Sequence, residues 1–236
     1  MIPPRTTQQA GFTLTELAIV LIIVALLIGS MLPPLSAQQD IRHEAETQKL
    51  LSETKEALLG FAAAKCRLPC PANPATPSGT ANAGIEYASN STGCNTSMEG
   101  VVPWATLGVP EIDAWGRRLT YRVKEEFAKT VTGCGSGTAA FSLGSDGDIT
   151  VRVTSGGTIV ASEIPVIVVS HGKNGFRGYL PNGNRLSASS DTDEEKNADA
   201  DSTFISKTAT STFDDIVDWI SPHILKSRMI AAGRLP

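Results

Sequence analysis

Ser170 and His171 stand side by side after Pro165–Val169, the most apolar of the strand-like runs. A serine beside a histidine is the raw material of a nucleophilic hydrolase. Adjacent residues on a strand point to opposite faces, however, so these two would not face one another. The chain also has no Gly-x-Ser-x-Gly elbow and no glycine-rich phosphate loop. No catalysis is therefore expected. The other histidines, His43 and His223, fall within helical surface patterns and are expected to face solvent.

Four cysteines, Cys66, Cys70, Cys94 and Cys134, all lie beyond a long apolar stretch near the N-terminus. An even count downstream of an export signal reads as disulfides formed in an oxidising compartment, and four cysteines allow three connectivities. Cys66-x3-Cys70 could supply two zinc ligands, but Cys94 and Cys134 stand alone and far apart.

The third chemical signal is Glu16, at the edge of Leu17–Leu32, a run with no charge and Ser30 as its one polar residue. A carboxylate costs about 2.5–3.5 kcal/mol at the centre of a bilayer and less near its boundary, so such a residue usually has a partner. A Sec signal peptide would use Arg5, Leu17–Gly29 and a cut after Leu35-Ser36-Ala37. A plain anchor would need roughly 17–25 apolar residues. Neither reading gives Glu16 a purpose. Cleavage between Gly11 and Phe12 would, because the new α-amino group on Phe12 would lie one helical turn from Glu16.

The elements that position these residues follow from periodicity and composition. Gln38–Lys65 reads as an amphipathic helix, with Leu50, Leu51, Ala57, Leu58 and Phe61 on one face among many charges. Prolines 69 and 71 end it. Residues 72–100 read as a long loop tied down by Cys94. Leu119–Val123, Ala139–Leu143, Ile149–Val153 and Pro165–Val169 read as strands, the last central in an antiparallel sheet. Ser187–Thr203 is acidic and reads as a solvated or disordered loop. Thr212–Ile220 reads as a helix, and Ser221-Pro222 begins another that Gly233 could end. Trp104 and Trp115 read as core anchors. The fold class expected is α+β: a long N-terminal helix, transmembrane then amphipathic, on an antiparallel sheet with short C-terminal helices. With 41% hydrophobic residues and a net charge of −4, no nucleic-acid partner is indicated.

Gly11-Phe12-Thr13-Leu14-Thr15-Glu16 and the apolar run after it resemble the signal of type IV prepilins and type II secretion pseudopilins. The resemblance implies cutting by a prepilin peptidase after Gly11, methylation of Phe12, and Glu16 as the carboxylate that guides assembly. It also implies a helix kink at Pro33, with Pro34 adding to it. The implied layout is a leader over 1–11, a transmembrane and assembly helix over 12–34, its amphipathic continuation over 35–65, and a globular domain over 66–236. Implied partners are the peptidase, other pilin or pseudopilin subunits, an inner-membrane assembly platform and lipid. The implied location is the bacterial inner membrane, single-pass, with the C-terminal domain periplasmic, and then the filament or cell surface. A mature chain this large favours a minor pilin or pseudopilin.

Three further segments carry looser likenesses. Gly100–Gly108 and Asp113-Ala-Trp115-Gly-Arg-Arg-Leu-Thr-Tyr121 resemble stretches of pilin-like proteins and pseudopilins. Ser-His-Gly-x-Asn-Gly at 170–175 also occurs in pilin-like sequences, as a turn after a strand. Ser142-Leu-Gly-Ser-Asp146-Gly-Asp148 resembles the stretch near the calcium loop of major pseudopilins, which makes Asp146 and Asp148 weak calcium candidates, although almost ninety residues follow them here. No other cofactor is expected. The rival from another class is a secreted, disulfide-bonded binding module released after Ala37.

Overall fold

The computed structural model describes residues 11–135 and 137–236, with the side chains of 30–36 excepted. The leader up to Ala10, with Arg5, lies outside the described residues. So do the side chains of Pro33 and Pro34, on which the expected kink rests. The chain divides into one unit ending at Arg42 and a second, His43–Pro236.

A single helix, α1 (Leu14–Lys65), runs from the first unit into the second. In the first unit its apolar side chains are exposed on every side, from Leu14 through Ile19, Ile22 and Ile23 to Leu26 and Ile28, as is Phe12 just before it. Among the described residues no helix is long and apolar enough to cross a membrane. The described apolar stretch, Leu17–Gly29, is shorter than the roughly 20 residues a bilayer needs.

In the second unit α1 behaves as its periodicity demands. Leu50, Leu51, Leu58, Leu59 and Ala62 are buried, and Lys49, Glu53 and Glu56 stay at the surface. These residues pack on a four-stranded antiparallel sheet of β1 (Glu99–Val101), β2 (Thr120–Val123), β5 (Val166–Ser170) and β7 (Ile216–Ile220), in the order β1-β2-β5-β7. Tyr121 and Val123 of β2, Val166 and Val168 of β5, and Ile220 of β7 face the helix. The sheet's other face is covered as well. Ile167 and Val169 join Ile149 and Val151 of β3 (Ile149–Arg152), Ile164 of β4 (Ile159–Ile164) and Phe204 of β6 (Thr203–Ile205) in a second core. These three strands form a smaller sheet, order β4-β3-β6, with β3 and β6 parallel. Burial on both faces is why Val166–Val169 reads as an unbroken apolar run.

The α+β class, the N-terminal helix and the antiparallel sheet match expectation, and β5 is an interior strand. Three segments differ. Thr212–Ile220 is not helical: Ile216–Ile220 pairs with β5 in full antiparallel register. Ala139–Leu143 forms no strand, since Ala140 N–H goes to the Cys66 carbonyl at 2.8 Å and Ala139 N–H to that of Arg234 at 3.3 Å. The acidic segment is ordered, holding α3 (Thr192–Lys196), capped by Asp191, and β6, with Asp193 and Glu194 buried. A short α2 (Trp104–Leu107) and the C-terminal α4 (Pro222–Ala231) complete the fold, α4 burying Leu225 and Met229.

Trp104 and Trp115 are half-buried and are not members of either core. Trp104 carries the Arg118 guanidinium over its ring at 4.6 Å. Arg118 is fully buried and ties together Glu111, Pro74 and Pro181 through four hydrogen bonds of 2.7–2.9 Å. Trp115 meets the half-buried His43 edge-on, so His43 is a packing residue, while His223 is exposed as expected.

Candidate functional site

The chemically suggestive residues collect in two places, one in each unit. In the first unit Gly11 and Phe12 are exposed and precede the helix, and among the described residues nothing lies within 4 Å of a Cβ built on Gly11. Glu16 lies in the first turn of α1. Its Oε2 accepts from the Thr13 N–H at 2.9 Å and the Thr13 hydroxyl at 2.7 Å, while the Glu16 N–H donates to Thr13 Oγ1 at 3.3 Å. This reciprocal pair is a capping box, with threonine at the cap and glutamate three residues on. The Thr-x-x-Glu spacing is legible in the sequence and was not read from it.

In the second unit the chain leaves α1 through Cys66, which has a left-handed φ of 60°. Cys66 is bonded to Cys134 and Cys70 to Cys94, one of the three possible connectivities. Arg67 grips both Glu86 oxygens, at 2.8 and 2.9 Å, and Glu86 also accepts the Cys70 N–H at 2.9 Å. The loop after the helix is thus fastened by two disulfides and a partly buried ion pair.

Ser170 and His171 are taken up separately. The Ser170 hydroxyl donates to Asp113 Oδ2 at 2.7 Å. The other Asp113 oxygen accepts the N–H groups of Trp115 and Arg117, so this aspartate shapes the turn that leads into β2. His171 Nε2 shares a hydrogen bond of 2.8 Å with Thr120 Oγ1, and its Nδ1 lies 3.5 Å from Asp215 Oδ1. Asp146 and Asp148 face different cations. Asp146 lies 3.5 Å from Lys226, whereas Asp148 lies 3.5 Å from Lys124 and 3.9 Å from Arg122.

The turn after β5 organises a cluster that sequence reading did not find. Gly172 has a φ of 52°, and a Cβ there would sit 2.3 Å from the Asp214 carbonyl oxygen and 2.6 Å from its Oδ1. Only glycine lets the turn lie against that carboxylate. The Asn174 N–H donates to Asp214 Oδ2 at 2.9 Å, and its side-chain amide donates to Glu194 Oε1. Asn197, fully buried, donates to Asp215 Oδ2 at 2.8 Å. Glu194, Asp214 and Asp215 each offer one oxygen within 4.8 Å of the others. Burial pushes the Asp214 carboxyl up to about 6, with Glu194 and Asp215 adding repulsion, against the opposing pull of the Asn174 N–H. The sequence signal was hidden because Glu194 sits in a segment that composition assigns to solvent.

Residues 6–32 match the prokaryotic N-terminal methylation motif, the signal of type IV prepilins and pseudopilins. Comparison with curated proteins and with solved structures gave no match.

Proposed function

We propose that this chain is a minor type IV pilin or pseudopilin, a filament subunit without catalysis of its own. The observation that carries the reading is the methylation motif over 6–32, set on a helix whose apolar side chains are exposed on all sides. A helix apolar all round is a buried one, covered by lipid or by other helices. Prepilin peptidase cuts after Gly11 and Phe12 is methylated. The helix then holds the subunit in the inner membrane as a single pass, since the uncharged run continues past Gly29 to Leu32 and beyond. Glu16 leaves its capping role to pair with the Phe12 amine of a neighbouring subunit as the filament grows from its platform. The disulfide-fastened domain faces the periplasm and then the filament surface, a location suited to two bridges. The separate engagement of Ser170 and His171 supports the absence of hydrolase chemistry.

Glu16 has two roles that a pair of variants can part. Glutamine also serves at the third position of a capping box, so Glu16→Gln keeps the helix start and removes the charge, whereas Glu16→Ala removes both. Incorporation into filaments or secretion through the pseudopilus is expected to fall to background in both variants, with the subunit still present in the membrane. Normal assembly of Glu16→Gln would reduce Glu16 to a helix cap and overturn the assembly mechanism.

A further inference from the structure

Each of three carboxylates near the start of β7 has one oxygen held and the other left over. Glu194 Oε1 accepts from Asn174 and, at 3.3 Å, from the Asp214 N–H. Asp214 Oδ2 accepts from the Asn174 N–H, and Asp215 Oδ2 from Asn197. Glu194 Oε2, Asp214 Oδ1 and Asp215 Oδ1 are all buried and have no hydrogen-bond partner among the described residues. Glu194 is 2% exposed, and the Asp215 side chain is completely buried. An independent side chain points the same way. His171, 1% exposed, aims an equally unpartnered Nδ1 at Asp215 Oδ1.

Leaving an ionised carboxylate buried and unpaired is unfavourable, and placing three together makes it more so. Nature resolves such clusters with protons or with a cation. His171 faces Asp215, which leaves Glu194 Oε2 and Asp214 Oδ1 still to be satisfied. The oxygens are also pre-positioned by Asn174 and Asn197, the kind of outer support that orients metal ligands.

We infer that Glu194, Asp214 and Asp215 form a binding site for a hard divalent cation of the calcium class. The converging donors are oxygens, which disfavours soft metals. Oxygens within 4.8 Å of one another can share one ion, and a cage of protein carboxylates suits calcium better than magnesium, which keeps several of its waters. The site is distinct from Asp146 and Asp148, which are turned to lysine and arginine. Its donors come from α3 and from the residues just before β7, steadied by the turn after β5. A bound ion would clamp the acidic 187–205 segment onto the central sheet. The inference is independent of the pilin reading.

The test uses the full chain, purified in detergent with its disulfides intact, stripped with a chelator and titrated calorimetrically with calcium, magnesium or zinc chloride. Calcium is expected to bind with a dissociation constant of about 1 mM or below, as in extracellular calcium modules, and to raise the melting temperature. Glu194→Gln and Asp215→Asn should each weaken binding at least about tenfold. Replacing Asp146 and Asp148 with asparagine should leave it unchanged. Absence of a calcium heat or melting shift in the wild type would overturn the proposal. So would tighter binding of magnesium or zinc, or loss on changing Asp146 and Asp148 alone. The wild-type titration decides the question even where a variant fails to fold.

Discussion

Breaking the two disulfides separately should reveal a nested order of stabilisation. Cys66–Cys134 closes 68 residues and Cys70–Cys94 closes 24, the smaller loop lying inside the larger. In the chain-entropy account a closed loop of 24 residues stabilises by about 3.4 kcal/mol at 25 °C. The outer bridge alone would give about 4.4 kcal/mol, but the inner bridge shortens its effective loop to 44 residues (68 − 24), for about 4.0 kcal/mol. The perturbations are the double substitutions Cys66→Ala with Cys134→Ala, and Cys70→Ala with Cys94→Ala. Urea unfolding of the full chain, followed by fluorescence of Trp104, Trp115 and Trp219, reads both. Each pair should lose several kcal/mol, and loss of the outer pair should cost slightly more. Either variant staying within about 1 kcal/mol of wild type would refute the view that these bridges restrain the unfolded chain.

The remaining predictions concern buried charge and close packing. Glu99 is raised from 4.5 to about 7, chiefly by burial, with Arg122 opposing. Its folded pKa exceeds its unfolded one, so its contribution is fully present below about pH 4.5 and is lost as pH rises through 7, by at most about 3 kcal/mol. The stability difference between wild type and Glu99→Gln should therefore shift against wild type between pH 5 and pH 8 in urea titrations; a pH-independent difference would contradict the burial of this carboxyl. Gly172→Ala should destabilise the domain by more than about 1 kcal/mol, because the added methyl meets the Asp214 backbone and the φ is left-handed. A melting temperature equal to wild type would show that the turn does not lie against Asp214.

Legibility in the sequence followed how many faces of an element are covered. The helix over 43–65 buries one face and keeps the other wet, so its 3.6-residue period shows, and β5, buried on both faces, shows as a solid apolar run. β7 misleads for the same physical reason. Ile216 and Ile220 join one core while Val217 and Trp219 join the other, and with Phe213 this spacing imitates a helical stripe. The acidic segment misleads through composition. Its charges are answered from afar, Asp193 by Lys207 and the Ser155 N–H, and Glu194 by Asn174. No local pattern encodes such partners, and the carboxylate cluster was hidden with them. At the N-terminus the reverse holds. Gly11, Phe12, Glu16 and the uncharged run are contiguous, so the site is written along the chain and needs no tertiary contact to be read.

The most direct test of the account is the mass of the mature N-terminus, taken from native membranes with and without the prepilin peptidase. The account predicts a first peptide beginning at N-methylated Phe12, replaced by the uncut chain when the peptidase is absent. A mature start at Gln38 in both cases would contradict it, identify a secreted domain released after Ala37, and leave Glu16 as a helix cap in a discarded signal.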